Sequence, residues 1–199
     1  MGIGRSLVTF FGPMKPTLAI STSFLVGLIL AAGCGKRPPT PITSVDCEIL
    51  ESVLTDFITR DEYVAFPALR ESKKIVVSDK IGGFAENAIL GWISPELVAD
   101  IRRRNPKGLR QSLGLYNLKN PNILVRDLTG VDLELGLSPV LAGTRGCVFP
   151  SLPGYSKDGQ TACLLFGYGP SAHGSVGFYI LRQQNRGWTI VERYATHLT

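Results

Sequence analysis

The residues best equipped for chemistry cluster near position 170. Ser171, His173 and Ser175 follow one another at two-residue spacing, and Asp158 lies a short way upstream. A serine hydrolase needs a hydroxyl nucleophile, an imidazole base and a carboxylate to orient that base, which makes Ser171, His173 and Asp158 the catalytic candidates. Two features weigh against catalysis. No Gly-x-Ser-x-Gly elbow occurs in the chain, and a serine and a histidine two apart in a loop beside a strand seldom point at each other. The surrounding stretch, Gly167 to Ser175, carries Gly169 and Gly174 five apart but lacks the lysine and the following helix of a phosphate loop. A hairpin loop is the favoured reading. Asp132 and Glu134, at strand spacing, share a face, and surface solvation explains them more simply than paired acid–base work.

Metal chemistry has little to draw on. Only His173 and His197 are present, and no C-x-x-C or H-x-x-x-H pair occurs. The expectation is no metal and no cofactor. The four cysteines are Cys34, Cys47, Cys147 and Cys163. In an oxidising compartment the last three allow three single pairings with one thiol left over, and Cys147–Cys163 is the preferred bridge because it closes a loop across Pro150, Pro153 and Gly154. The plainer alternative makes Cys47 and Cys163 small buried apolar residues.

A basic run supplies a different chemistry. Arg102, Arg103, Arg104, Lys107, Arg110, Lys119 and Arg126 have no acid between them. Arg102, Arg103, Arg104, Lys107 and Arg110 are candidates to meet an anionic partner: lipid, a phosphorylated envelope polymer or an acidic protein. An ordinary solvated helix end, where basic residues are favoured, is the competing reading. Nucleic acid is disfavoured. Tyr116 is the one aromatic residue among these charges, and the whole chain carries only +5.

The 199 residues suit one domain plus a targeting segment, and 44% hydrophobic with 19% charged residues is a globular composition. Thr17 to Ala32 has no charged residue, Lys15 precedes it, and Ala31, Ala32 and Gly33 lead directly into Cys34. A positive end, a short apolar run and small terminal residues are the parts of an export signal. The run is short for a comfortable membrane span, though an uncleaved anchor and an ordinary unlipidated signal remain alternatives. Arg5 and Lys15 precede Cys34, so cleavage there would leave +3.

Leu30-Ala31-Ala32-Gly33-Cys34 resembles the lipobox of bacterial lipoproteins. Ala31 stands where leucine is preferred. The resemblance covers about the first 34 residues and implies that Cys34 is acylated on sulfur, becomes the first mature residue and anchors the protein in the cell envelope, facing the periplasm or exterior. Two or more acyl chains anchor durably, at about 0.8 kcal/mol per buried methylene. Starting at Met14 gives the signal more typical proportions than starting at Met1. Segment 34–43 then reads as a tether, because Pro38-Pro39-Thr40-Pro41 favours an extended spacer of roughly 20–30 Å.

Segment 44–199 reads as a single α+β domain. Val45, Ile49, Leu50, Val53, Leu54, Phe57 and Ile58 recur at helical spacing, with Ser44 as expected N-cap. Lys74–Ile81 reads as one strand closed by Gly82-Gly83. Ser94-Pro95-Glu96 signals a second helix whose apolar face is Leu97, Val98 and Ile101, ended by Asn105-Pro106. Ile123–Leu128, Thr161–Phe166, Val176–Arg182 and Trp188–Tyr194 read as strands, the last two joined by a hairpin at Asn185-Arg186-Gly187. The expected architecture is N-terminal helices on one face of a C-terminal antiparallel sheet, by analogy cystatin-like or NTF2-like. Ser151-Leu-Pro-Gly154-Tyr155-Ser156-Lys-Asp158, with Ala162 and Gly187-Trp188, loosely resembles the C-terminal half of many bacterial secreted and lipoprotein domains, which implies consecutive hairpins and no particular activity. The functional expectation is a lipid-anchored, non-catalytic binding or accessory domain. A hydrolase centred on His173 and a structural surface protein are the rivals.

Overall fold

A computed structural model describes residues 40–61, 69–81, 89–107, 111–113, 118–131, 139–169, 174–185 and 187–197. The chain divides into two units, Met1–Pro38 and Pro39–Thr199, and the described residues all belong to the second. Cys34, Met14, Gly82-Gly83, Arg110, Asp132, Glu134, Ser171 and His173 lie outside the described residues.

The first helix, α1 (Ser44–Thr59), forms where the apolar period requires it and buries Ile49, Leu50, Val53, Leu54, Phe57 and Ile58. Its cap lies one residue earlier than Ser44. Thr43 accepts from the Asp46 backbone N–H while the Asp46 carboxylate accepts from the Thr43 backbone N–H, a reciprocal capping box. Val45 lies off the buried stripe, 39% exposed. The second helix, α2 (Pro95–Arg104), starts as expected with Ser94 as cap and proline in the first turn. It buries Leu97, Val98 and Ile101, and also Arg104.

Among the described residues nine strands accompany them: β1 (Ile75–Ser78), β2 (Lys80–Ile81), β3 (Gln111–Ser112), β4 (Ile123–Arg126), β5 (Cys147–Pro150), β6 (Gly154–Tyr155), β7 (Thr161–Gly169), β8 (Ser175–Gln184) and β9 (Gly187–His197). The main sheet runs β4-β1-β5-β7-β8-β9, with β6 also paired to β7. From β5 to β9 every pairing is antiparallel, and β8–β9 is the expected hairpin, turned by Asn185 at φ 26°. The other side differs from expectation, because β1 pairs in parallel with both β4 and β5. Parallel neighbours need a long crossover, and the segment between β1 and β4 that includes α2 supplies one. The expected single strand over Lys74–Ile81 breaks at Asp79. There the chain leaves the main sheet and β2 pairs with β3, while the Ser112 hydroxyl donates to the Asp79 carboxylate at 2.8 Å.

The helices do not share a face. Ala162, Leu164, Phe166 and Tyr168 of β7 pack in the cluster that contains the apolar stripe of α1. Cys163 and Leu165, the alternate residues, pack in the cluster of Ile89, Leu90, Ile93 and the apolar residues of α2. Successive strand residues point to opposite faces, so a helix layer covers each side of the sheet. Because β7 is apolar on both faces, both needed cover, and the one-faced cystatin-like or NTF2-like arrangement has no support.

Arg145 closes the far end of α1. It is wholly buried and donates to the carbonyls of Ile58 and Arg60, the latter at 2.8 Å, and to the Asp61 carboxylate at 2.6 Å. A guanidinium there satisfies carbonyls that the helix leaves unpaired and opposes its negative dipole end.

Candidate functional site

The most elaborate polar cluster joins α1, α2 and β6. Arg104 meets Asp46 through two bonds, Nη1 to Oδ1 at 2.7 Å and Nη2 to Oδ2 at 2.9 Å. The Tyr155 hydroxyl donates to Asp46 Oδ1 at 2.7 Å, and the Thr43 hydroxyl to Oδ2 at 2.8 Å. Arg104 also donates to the Pro153 carbonyl at 2.6 Å and lies 5.0 Å above the Tyr155 ring centre. Burial pushes the Asp46 carboxyl up, but the bonds from Arg104, Tyr155 and Thr43 outweigh it and hold the group below the usual carboxylate range. Burial, reinforced by the Asp46 carboxylate, raises the Tyr155 hydroxyl well above its ordinary value. Neither group exchanges a proton near neutrality. Every lone pair direction of Asp46 is engaged by the protein itself, so the cluster clamps the two helices and is not built to turn over substrate.

Sequence reasoning missed this cluster. Two signals bear on it: Thr43-Ser-Val-Asp46 has capping-box form, and Arg104 continues the buried stripe Leu97-Ile101 by three residues. Neither signal indicates that the two residues meet.

The basic run is split by the fold. Arg104 is only 4% exposed and belongs to the clamp, not to a solvated patch. Arg103 pairs with Asp100 at 2.6 Å. Arg102 and Lys107 are exposed near the end of α2. Lys119 sits beside Asn120, whose backbone N–H donates to Glu51 of α1 on the opposite side of the sheet, and Arg126 ends the edge strand β4. Of the anionic-partner candidates Arg104 is thus withdrawn into the fold, Arg102, Arg103 and Lys107 are exposed, and Arg110 lies outside the described residues.

Asp158 has a turn to hold. It accepts from the Ser156 hydroxyl at 2.6 Å and from the Gln160 backbone N–H at 2.9 Å. It precedes the first residue of β7, whereas residues 170–173 follow the last. The nine residues between separate those ends by about 27 Å at strand rise. Asp158 is engaged in its own turn at the start of β7, and the other two members of the expected constellation, Ser171 and His173, lie outside the described residues.

The expected Cys147–Cys163 bridge is also not formed: Cys47, Cys147 and Cys163 are free. Cys147 pairs with Gly169 across β5–β7, and Cys163 lies six residues back along β7. That spacing is about 20 Å, against the roughly 4–7 Å between Cα atoms that a bridge demands. Both thiols are fully buried. Burial pushes Cys147 up to about 12 and Cys163 higher still. Among the described residues no group of three His, Cys, Asp or Glu side chains is placed to hold a metal ion.

A further surface feature lies on α2. The outward side of α2 is a narrow ridge, with Pro95 and Ala99 bordering an open hollow on each flank, of about 700 Å³ and about 550 Å³. Beneath it the helix is tied to β6 along its length. Glu96 accepts from the Lys157 backbone N–H, Asp100 from that of Tyr155 at 2.9 Å, and the Asn105 side chain exchanges bonds with Leu152 at 2.7 and 3.0 Å. These carboxylates satisfy the free edge of β6, which would otherwise be open to a foreign strand. Gly154 makes the approach possible: a Cβ there would stand 2.5 Å from Ile101 Cγ1 and 2.7 Å from the Ile101 nitrogen. Just before α2, Trp92 is 70% exposed, with its ring stacked on Tyr194 at 5.7 Å, and Tyr194 stacks in turn on Phe178 at 5.3 Å. A large aromatic held rigidly at the surface is a common anchor for association. Compared with protein-family models, with curated proteins and with solved structures, the chain matches none.

Proposed function

We propose that this protein is a lipid-anchored component of the bacterial cell envelope whose domain works by binding, not catalysis, through the outward face of α2. The observation that carries the binding reading is the rigid, 70% exposed Trp92 beside a helix ridge flanked by two open hollows. The buried polar groups of the domain support it from the other side. Asp46, Arg104 and Arg145 are bonded to the protein's own backbone and side chains, which is the chemistry of a scaffold. The anchor is supported by sequence: an uncharged run from Thr17, small residues at 31–33, then Cys34 and a proline tether. Exported, held by acyl chains at Cys34 and set off from the bilayer by that tether, the domain would meet partners in the periplasm or outside the cell.

Fractionation with labelled fatty acid tests the anchor. Wild type should be labelled and membrane-bound, and Cys34→Ala should be unlabelled. An unlabelled, soluble wild type would overturn the anchoring. The binding face has a separate test: Ala99→Arg, exposed and therefore compatible with folding, should fail to complement a deletion strain while remaining folded. Full complementation would count against α2 as the working surface.

A further inference from the structure

We infer that the basic C-terminal end of α2 docks on the anionic phospholipid surface that holds Cys34, and so sets which way the domain faces. The inference rests on the reading of Cys34 as a lipid anchor and adds to it a second, electrostatic contact. The tether enters the domain beside this end of α2. Ile42 is buried in the core cluster of α1 and fixes the entry point. The next residue, Thr43, donates from its backbone N–H and from its hydroxyl to Asp46 Oδ2, at 2.7 and 2.8 Å, and Arg104 Nη2 donates to the same oxygen at 2.9 Å. One carboxylate oxygen thus joins the root of the tether to the last residue of α2. Ile42 lies eight residues after Cys34, a reach of about 28 Å at full extension. An acylated Cys34 therefore keeps this end of α2 close to the bilayer.

The charge and the apolar surface around the entry point suit lipid headgroups. Arg102 and Lys107 are exposed there. Of the nearby acids, Asp46 is matched by Arg104 and Asp100 by Arg103. Glu48, exposed on α1, is turned toward the β8–β9 hairpin, where its Oε1 lies 3.3 Å from where a Cβ at Gly187 would stand. The surplus among the described residues at this end is positive, and the tether adds Lys36 and Arg37. Val45, two residues after Thr43, is 39% exposed and lies off the buried stripe of α1, which places an apolar side chain beside the tether root. A basic residue near an anionic surface strengthens binding roughly fivefold. That is little for a free protein, but the tether holds the domain at high local concentration, where a few such contacts suffice. α2 has 10 residues, so its other end, which Trp92 precedes, lies about 15 Å away along the helix axis. Docking through the C-terminal end leaves Trp92 outside the contact and open to partners.

The test uses the full lipidated protein reconstituted in nanodiscs of phosphatidylcholine, with or without phosphatidylglycerol, and reads hydrogen exchange by mass spectrometry. Mass analysis first shows the acyl chains at Cys34. Their absence would overturn the anchor and this inference with it, whereas every later outcome bears on the docking alone. Phosphatidylglycerol should slow exchange in segments 43–48 and 99–107 about fivefold or more and leave 90–93 unchanged. The effect should vanish at about 0.5 M salt, where charges are screened within roughly 4 Å. Arg102→Gln combined with Lys107→Gln should remove it while circular dichroism stays that of the wild type. Lys73→Gln should retain it, because Lys73 lies toward the other end of α1: the Lys74 carbonyl accepts from the Arg145 backbone N–H, and the Arg145 side chain bonds the carbonyls of Ile58 and Arg60. Equal exchange in both kinds of disc, or an equal loss with Lys73→Gln, would overturn the docking. Protection produced by soluble polyphosphate and not by phosphatidylglycerol would overturn the lipid assignment in favour of a phosphorylated polymer.

Discussion

Arg104 and Asp46 form a two-pronged ion pair, with Nη1–Oδ1 at 2.7 Å and Nη2–Oδ2 at 2.9 Å, between helices that cover opposite faces of one sheet. The pair is 4% and 2% exposed and lies between the C-terminal turn of α2 and the N-terminal turn of α1. Favourable dipole positions, the Tyr155 hydroxyl and the Pro153 carbonyl complete its shell. Removing one partner strands a buried charge. Arg104→Met should therefore lower unfolding free energy by about 3–5 kcal/mol in urea melts. Asp46→Leu in that background should cost much less than either change alone, and strict additivity would show that the two residues act separately.

Acid sensitivity follows from the same carboxylate. Burial raises Asp46 and Asp56, but hydrogen bonds and the charges of Arg104 for one, Arg193 and Arg60 for the other, bring both below the ordinary value. A carboxyl lowered in the folded state stabilises the fold above its unfolded pKa, near about 4, and loses that contribution as pH falls through the folded pKa. Stability should be nearly level from neutrality to about pH 5 and decline below about pH 4. Asp46→Asn should flatten the acid slope whatever it does to stability at neutral pH. An unchanged slope in denaturant titrations at several pH values would exclude Asp46 as a contributor.

Gly154 gives a steric prediction. Its missing Cβ would sit 2.5 Å from Ile101 Cγ1 and 3.0 Å from the Leu97 carbonyl oxygen, with α2 backbone on that side. Gly154→Ala should cost about 1–3 kcal/mol by forcing α2 away from β6. Hydrogen exchange should then rise at the Tyr155 and Lys157 amides, whose partners are Asp100 and Glu96. A melting temperature equal to wild type would show that the helix shifts without penalty.

Thiol reactivity separates the free-cysteine arrangement from a bridged one. With burial raising both Cys147 and Cys163, neither should react with an aromatic disulfide reagent in the native state. Cys47, partly exposed on α1, should react first. Denatured Cys34→Ala protein from an oxidising host should show three titratable thiols, and a count of one would restore the bridge.

Some of this protein was legible in its sequence because the responsible physics is local. The period of Ile49, Leu50, Val53, Leu54, Phe57 and Ile58 sets one face of α1, Ser94-Pro95 starts α2, and the turn after Gln184 joins β8 to β9. The run into Cys34 is equally local, and it motivates the anchor without any fold. What the tertiary structure decided is which distant surfaces meet. The parallel pairing of β1 with β4 and β5 leaves no mark on four-residue strands, because their buried residues suit either direction. The apolar residues on both sides of β7 matter only once two helices compete for them. In sequence Arg104 is one basic residue in a run of several; its partner Asp46 lies 58 residues away and Tyr155 lies 109 residues beyond Asp46. A charge is exposed or paired according to what packs over it, and that is a property of the assembled layers, not of neighbouring residues.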